Sequence, residues 1–116
     1  MGVKRIQDLV TWQLAVEFKT EVYGLVRRSP SARRDLRYRD QLYDAASGTE
    51  ANIVEGFHRN SAKQFVQFLA YARGSHAEAE ARLRDGITRS YFAARYCEKA
   101  LLLAKRCGQA ILKLMK

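Results

Sequence analysis

The stretch Asn52-Ile53-Val54-Glu55-Gly56-Phe57-His58-Arg59-Asn60-Ser61-Ala62-Lys63-Gln64-Phe65 carries two helix signals back to back. An apolar pattern stops at Gly56, where a glycine fits the left-handed position that ends many helices. A short polar break follows. Ser61-x-x-Gln64 is then a capping box, in which the serine hydroxyl accepts an orphan N–H of the first turn. The stretch reads as the tight corner between two long antiparallel helices. Asn52, Glu55, Gly56, Arg59 and Ser61 are its structural residues. A carboxylate at a helix C-terminus opposes the helix dipole, so Glu55 needs a cation, and Arg59 or Arg73 is expected to supply it.

Upstream of the corner, Leu36, Tyr43, Ala46 and Ile53 recur near a seven-residue period, so a helix is expected over about 35–56. Two starts are open: Ser29 as N-cap with Pro30 at N1, or Asp35 capping Leu36. Gly48 lies mid-helix, where glycine costs about 1 kcal/mol against alanine, so a packing reason is expected. The first helix is expected over about 9–28, capped by Asp8 and preceded by an extended arm at 1–8. It has two apolar stripes. Leu9, Trp12, Val16, Tyr23 and Val26 form one, and Leu14, Phe18, Val22 and Leu25 form the other. The second stripe is either deep core or a contact with another subunit.

Downstream, Phe65, Phe68, Leu69, Ala72, His76, Ala79 and Leu83 mark a helix over about 61–88. A last helix over about 92–114 carries Ala93, Cys97, Ala100, Ala104, Cys107, Ile111 and Leu114, widened by Tyr96, Leu103 and Ala110. Leu101, Gly108, Leu112 and Met115 make a separate stripe on that helix. With Leu14 and Phe18, the residues Leu101, Leu112 and Met115 are candidates for an oligomer interface. No strand or hairpin signal competes. The expected fold is all-α, an antiparallel up-and-down four-helix bundle in one domain over 1–116.

The 116 residues hold 21 Lys plus Arg against 12 Asp plus Glu, for a formal charge of +9. That sign favours polyanions or acidic proteins. Six arginines crowd into one segment: Arg27, Arg28, Arg33, Arg34, Arg37 and Arg39. Guanidinium groups grip phosphates bidentately, so these are nucleic-acid-binding candidates, joined by Lys105 and Arg106 on the last helix. No element that reads base edges is visible, so contact is expected to be sequence-tolerant.

Catalytic signals are missing. There is no Gly-x-Ser-x-Gly, phosphate-cradling loop or Cys-x-x-Cys. Glu55-x-x-His58 matches half of a di-iron pair, but such sites need two pairs and further carboxylates. No metal site, cofactor or enzymatic activity is expected. Cys97 and Cys107 on one helix stand roughly 15 Å apart, too far for a disulfide. Free buried thiols, no apolar leader and no run of about 20 apolar residues point to a cytoplasmic protein away from membranes.

A family resemblance rests on Asp8-Leu9-Val10-Thr11-Trp12-Gln13-Leu14-Ala15, Val22-Tyr23, Asn52-Ile53-Val54-Glu55-Gly56, Arg59, Ser61, Phe65, Phe68-Leu69, Ala72-Arg73-Gly74-Ser75 and Glu78. The chain resembles the four-helix-bundle proteins encoded inside intervening sequences of bacterial large-subunit ribosomal RNA genes. That family is similar to the accessory variability proteins of diversity-generating retroelements. The resemblance implies a homopentamer without enzymatic activity; for the retroelement relatives it implies binding a reverse transcriptase and nucleic acid through a basic surface, and for the ribosomal-insert members no function is established. The alternative is a scaffold for an acidic protein partner without nucleic acid. Two departures from the pattern stand out: His58 in place of a glycine, and Gly48-Thr49-Glu50 in place of serine and an apolar residue.

Overall fold

A computed structural model describes residues 2–116. The chain is all-α. Its helices are α1 (Val10–Arg27), α2 (Pro30–Arg34), α3 (Leu36–Phe57), α4 (Ala62–Thr88) and α5 (Glu98–Met115), with 3-10 turns at Ile6–Asp8 and Ala94–Cys97. Side-chain caps start three of them. Ser29 Oγ accepts the Ala32 N–H at 3.2 Å, Asp35 Oδ1 that of Tyr38 at 3.1 Å, and Ser61 Oγ that of Gln64 at 3.3 Å. Both starts left open between Ser29 and Asp35 are therefore used, the first by the short α2 and the second by α3.

α1 lacks such a cap. Asp8 belongs to the preceding 3-10 turn and pairs with Arg5, so the expected Asp8 cap is corrected to an uncapped start at Val10. The expected arm at 1–8 is partly folded, with Val3 and Ile6 packed on the core; Met1 lies outside the described residues. The last helix also starts later than expected. After α4, Ser90 takes a left-handed φ of 63°, and the Tyr91 and Phe92 N–H groups both donate to the Gly86 carbonyl. This turn consumes 89–93, so regular α-helix begins only at Glu98.

α3 packs most extensively on α4. α1 packs on both α3 and α5, and α4 also meets α5. Along α3 and α4 the touching pairs run in opposite sequence order: Gly56 with Phe68, Gly48 with Ser75, Tyr38 with Gly86. At 27 residues, α4 spans about 40 Å, close to the 43 Å long dimension of the molecule. One core cluster draws on α1, α3, α4 and α5.

Glycines set the spacing of α3 and α4. A Cβ on Gly56 would sit 2.8 Å from Phe68 Cβ. No described glycine has a positive φ, so Gly56 is not the left-handed terminator expected from the sequence. It lies inside the last turn of α3 and lets α4 approach. Gly86 is tighter still, with the Tyr38 hydroxyl and the Phe92 ring occupying the space a methyl would need. Gly48 meets the Ser75 hydroxyl in the same way, with its Cβ position 3.3 Å from Oγ.

Three further expectations are corrected. Leu14 and Phe18, proposed as interface residues, are buried inside the monomer, Phe18 completely. α1 is enclosed by α3 and α5, and the Phe18 ring also meets His76 of α4, so both its apolar stripes are used internally. Leu36 is exposed; the buried line of α3 instead runs through Tyr38, Leu42, Ala45, Thr49 and Ile53. Tyr96 stands 62% exposed because it falls in the 3-10 turn rather than on the buried face of α5.

Gly86→Ala should lower unfolding free energy by about 1–3 kcal/mol through overpacking. Gly74, also in α4, has open space around its Cβ position. Gly74→Ala should gain up to about 1 kcal/mol in helix propensity. Urea unfolding at matched protein concentration checks the opposite signs.

Candidate functional site

The arginine segment spans the end of α1, all of α2 and the start of α3. Arg27, Arg28, Arg33, Arg34 and Arg37 are exposed, and Arg39 is half-buried. Their charge is not neutralised locally. Of the eight sequence candidates, only Arg39 has a carboxylate within ion-pair distance among the described residues, at 3.1 Å from Asp40. Several arginines elsewhere are paired, although Arg73, Arg95 and Arg106 are not among the described residues. Arg59 pairs with Glu55, Arg82 with Glu78, Arg84 with Glu80 and Arg89 with Asp85. The densest run of unpaired arginines is therefore the 27–37 segment, although Arg73, Arg95, Lys105, Arg106 and several other lysines also lack partners among the described residues.

Two clefts adjoin this segment. One, of about 370 Å³, is lined by Asp35, Arg37, Tyr38, Gln41, Arg82 and Arg89. Arginines from α3, α4 and the turn after α4 thus line one cleft with a single carboxylate, Asp35. Asp35 is committed to the fold. It accepts from the Tyr91 hydroxyl at 2.5 Å and caps α3, and Arg89 lies 3.5 Å away. The Tyr91 hydroxyl first, then the Tyr38 N–H, holds the Asp35 carboxyl below its ordinary value. The same bond to Asp35 raises the Tyr91 phenol. Burial pushes the Tyr38 phenol up, and its hydroxyl donates to the Arg82 carbonyl at 2.6 Å. The Arg89 guanidinium lies over the rings of Tyr38 and Tyr91, and its bond to Asp85 raises its pKa. Arg37 has no such ties.

The second cleft, of about 600 Å³, is lined by Arg28, Tyr91 and Tyr96 among others. Lys105 is not brought to either. It lines a separate groove between α4 and α5 with Arg73, His76, Glu80 and Leu112. There the His76 Nε2–H donates to the Ala104 carbonyl at 2.7 Å, and Nδ1 has no partner. Leu112 is 39% exposed, while Leu101 and Met115 are half-buried and packed against the core. Leu102, not singled out in the sequence, is more exposed than any of these three.

The corner residues are bonded locally. Arg59 Nη2 donates to Glu55 Oε1 at 2.6 Å and its guanidinium sits 4.9 Å from the Phe68 ring centroid, tying the end of α3 to α4. Asn52 Nδ2 donates back to the Gly48 carbonyl at 2.9 Å. Among the described residues, no three His, Cys, Asp or Glu side chains gather to hold a metal ion. Cys97 and Cys107 are buried free thiols, and burial pushes the Cys107 pKa up to about 12. No described helix is long and apolar enough to cross a membrane.

A family model described as 23S rRNA-intervening sequence protein matches residues 7–113. The chain belongs to that family. A search of curated proteins finds no match. Glu50, one of the departures from the family pattern, has a local explanation. Its carboxylate accepts the Trp12 indole N–H at 3.0 Å and pairs with Lys19, fastening α1 to α3. Single residues at such separations leave no periodic signal in a sequence. Arg82, Arg89 and Tyr91 were missed as site neighbours for the same reason.

Because the Asp35 carboxyl is depressed in the folded state, its contribution is present above the unfolded value near 3.9 and is lost as pH falls through the lower folded value. Asp35→Ala should lower the melting temperature by several degrees at pH 7, and the gap from wild type should begin to narrow as pH falls below about 4. Thermal melts across that range check it.

Proposed function

We propose that this protein is a non-enzymatic, oligomeric binding module that holds RNA or DNA through phosphate contacts, without reading sequence. The observation that carries the reading is the exposed arginine segment 27–37, five arginines close in sequence that have no carboxylate partner among the described residues, while Arg82, Arg84 and Arg89 near the end of α4 are paired. Unpaired like charges repel, and a polyanion relieves that repulsion while releasing counterions. The cleft lined by Arg37, Arg82 and Arg89 brings together three guanidinium-bearing side chains, a group that phosphates favour, and of these Arg37 has no ion-pair partner among the described residues. Membership of a family named for a ribosomal RNA insertion supports RNA.

In this reading α1, α3, α4 and α5 form an antiparallel up-and-down four-helix bundle. The opposed order of contacts along α3 and α4 supports it, as do Trp12 to Glu50 and Tyr23 to Tyr43 between α1 and α3. Five copies assemble, with Leu101, Leu112 and Met115 at the contact and exposed Leu102 beside them. Assembly would multiply weak phosphate contacts by avidity. The resemblance to retroelement accessory proteins adds a reverse transcriptase as protein partner. The buried reduced thiols fit a cytoplasmic setting.

Fluorescence anisotropy with mixed-sequence RNA tests the binding. Affinity should fall linearly on a log–log plot against salt, by roughly 0.7 to 0.9 log units per phosphate contact for each tenfold rise in salt. Arg34→Ala with Arg37→Ala should weaken all sequences alike and flatten that slope by one to two contacts' worth. No binding at low salt would sink the reading.

Size-exclusion with light scattering tests the assembly. The expected mass is five times the 13.3 kDa chain. Leu112→Asp should shift it toward one chain. A wild-type monomer at micromolar concentration refutes the interface.

A further inference from the structure

We propose that the cleft holding Arg28 and Tyr96 seats one unpaired base of a single-stranded nucleic acid, stacked on Tyr96 with its phosphate on Arg28. The inference rests on the nucleic-acid reading above and adds the form of the ligand. At about 600 Å³ the cleft has the size of small-ligand sites. Its floor is apolar, made of buried Leu25 and Phe92, and Tyr91 and Pro30 contribute to the walls.

Tyr96 is the decisive residue. At 62% exposure its ring is not claimed by the core, yet it is held in place. The Arg95 guanidinium stacks 4.7 Å from its centroid, and Arg95 Nη2 donates to the phenol oxygen at 3.2 Å. Arg95 does not line the cleft, whereas Tyr96 does. An exposed aromatic ring stiffened by a stacked guanidinium is a platform for a base, because every base has a flat π-face.

Charge selects the ligand. Arg28 is the only charged side chain in the lining, and no carboxylate joins it. It has no ion-pair partner among the described residues. Gly24 lets it lie close along α1, since a Cβ there would stand 3.0 Å from Arg28 Nη1. The hydroxyls of Ser29 and Tyr91 are already spent on the Tyr91 carbonyl and on Asp35. An apolar floor, an aromatic platform and one free cation match a base with its phosphate. An acidic protein surface would call for several cations in the lining. A base inside a duplex keeps its faces covered, so the cleft should favour single strands.

The test compares a fluorescein-labelled single-stranded RNA with a duplex of the same sequence, in low salt. Wild type should bind the single strand more tightly. Tyr96→Ala should weaken single-strand binding about tenfold, the worth of one stacked base, and leave duplex binding nearly unchanged. Tyr96→Trp should restore it. Arg28→Ala should weaken both forms, as a phosphate contact does. Duplex binding with no effect of Tyr96→Ala on the single strand overturns the cleft assignment and leaves the broader reading standing. An equal loss for both forms, or a change in oligomer mass on Tyr96→Ala, overturns it too and marks the cleft as a contact between copies. If neither RNA binds, both readings fall.

Discussion

The close approach at Gly86 governs the end of the molecule where the charged residues gather. Without a side chain there, the Tyr38 hydroxyl reaches the Arg82 carbonyl and the Phe92 ring folds under the turn. The Gly86 carbonyl then accepts both the Tyr91 and Phe92 N–H groups, which requires Ser90 in the left-handed region. Tyr91 is thereby placed to reach Asp35 with its hydroxyl and Ser29 with its carbonyl. Four segments distant in sequence are thus locked together by one missing methyl group.

Each tie in this network does two things. Asp35 caps α3 and at the same time orients Tyr91. Ser29 caps α2 and bonds the Tyr91 carbonyl. Arg89 bridges Asp85 and Asp35 and covers two aromatic rings. Most polar groups of the network are satisfied internally, and that is why Arg28, Arg33, Arg34 and Arg37 around it are conspicuous in having no partners. The fold spends its carboxylates on structure here and leaves the cations over.

How far the sequence could be read depended on the range of the interaction. The caps at Ser29, Asp35 and Ser61 are signals three residues long, and each forms. The buried line Leu69, Ala72, His76, Ala79 and Leu83 follows from helical period alone. Gly56 was misread because a glycine near a helix end suggests a terminator, whereas its role is set by Phe68 across the corner. Leu14 and Phe18 could not be placed, since a doubled stripe looks the same whether the second face meets a sister helix or a sister subunit. The arginine cluster is plain in the sequence. That Arg82 and Arg89 join Arg37 is not, because it depends on the register of α4 against α3. Tyr96 was assigned to the buried face by counting a helix that the turn at 89–93 delays.

The order of packing also bears on how the chain reaches this structure. α3 and α4 share the largest contact and are joined by only a few residues, so closing that hairpin costs little loop entropy. α1 meets α5, its most distant helix in sequence, and that contact has to wait for the whole chain. A ribosome would release the α3–α4 pair before the helix that covers it has been made. Until α5 arrives, one apolar face of α1 and the His76 side of α4 stand open to solvent, which makes the unfinished chain stickier than the finished one.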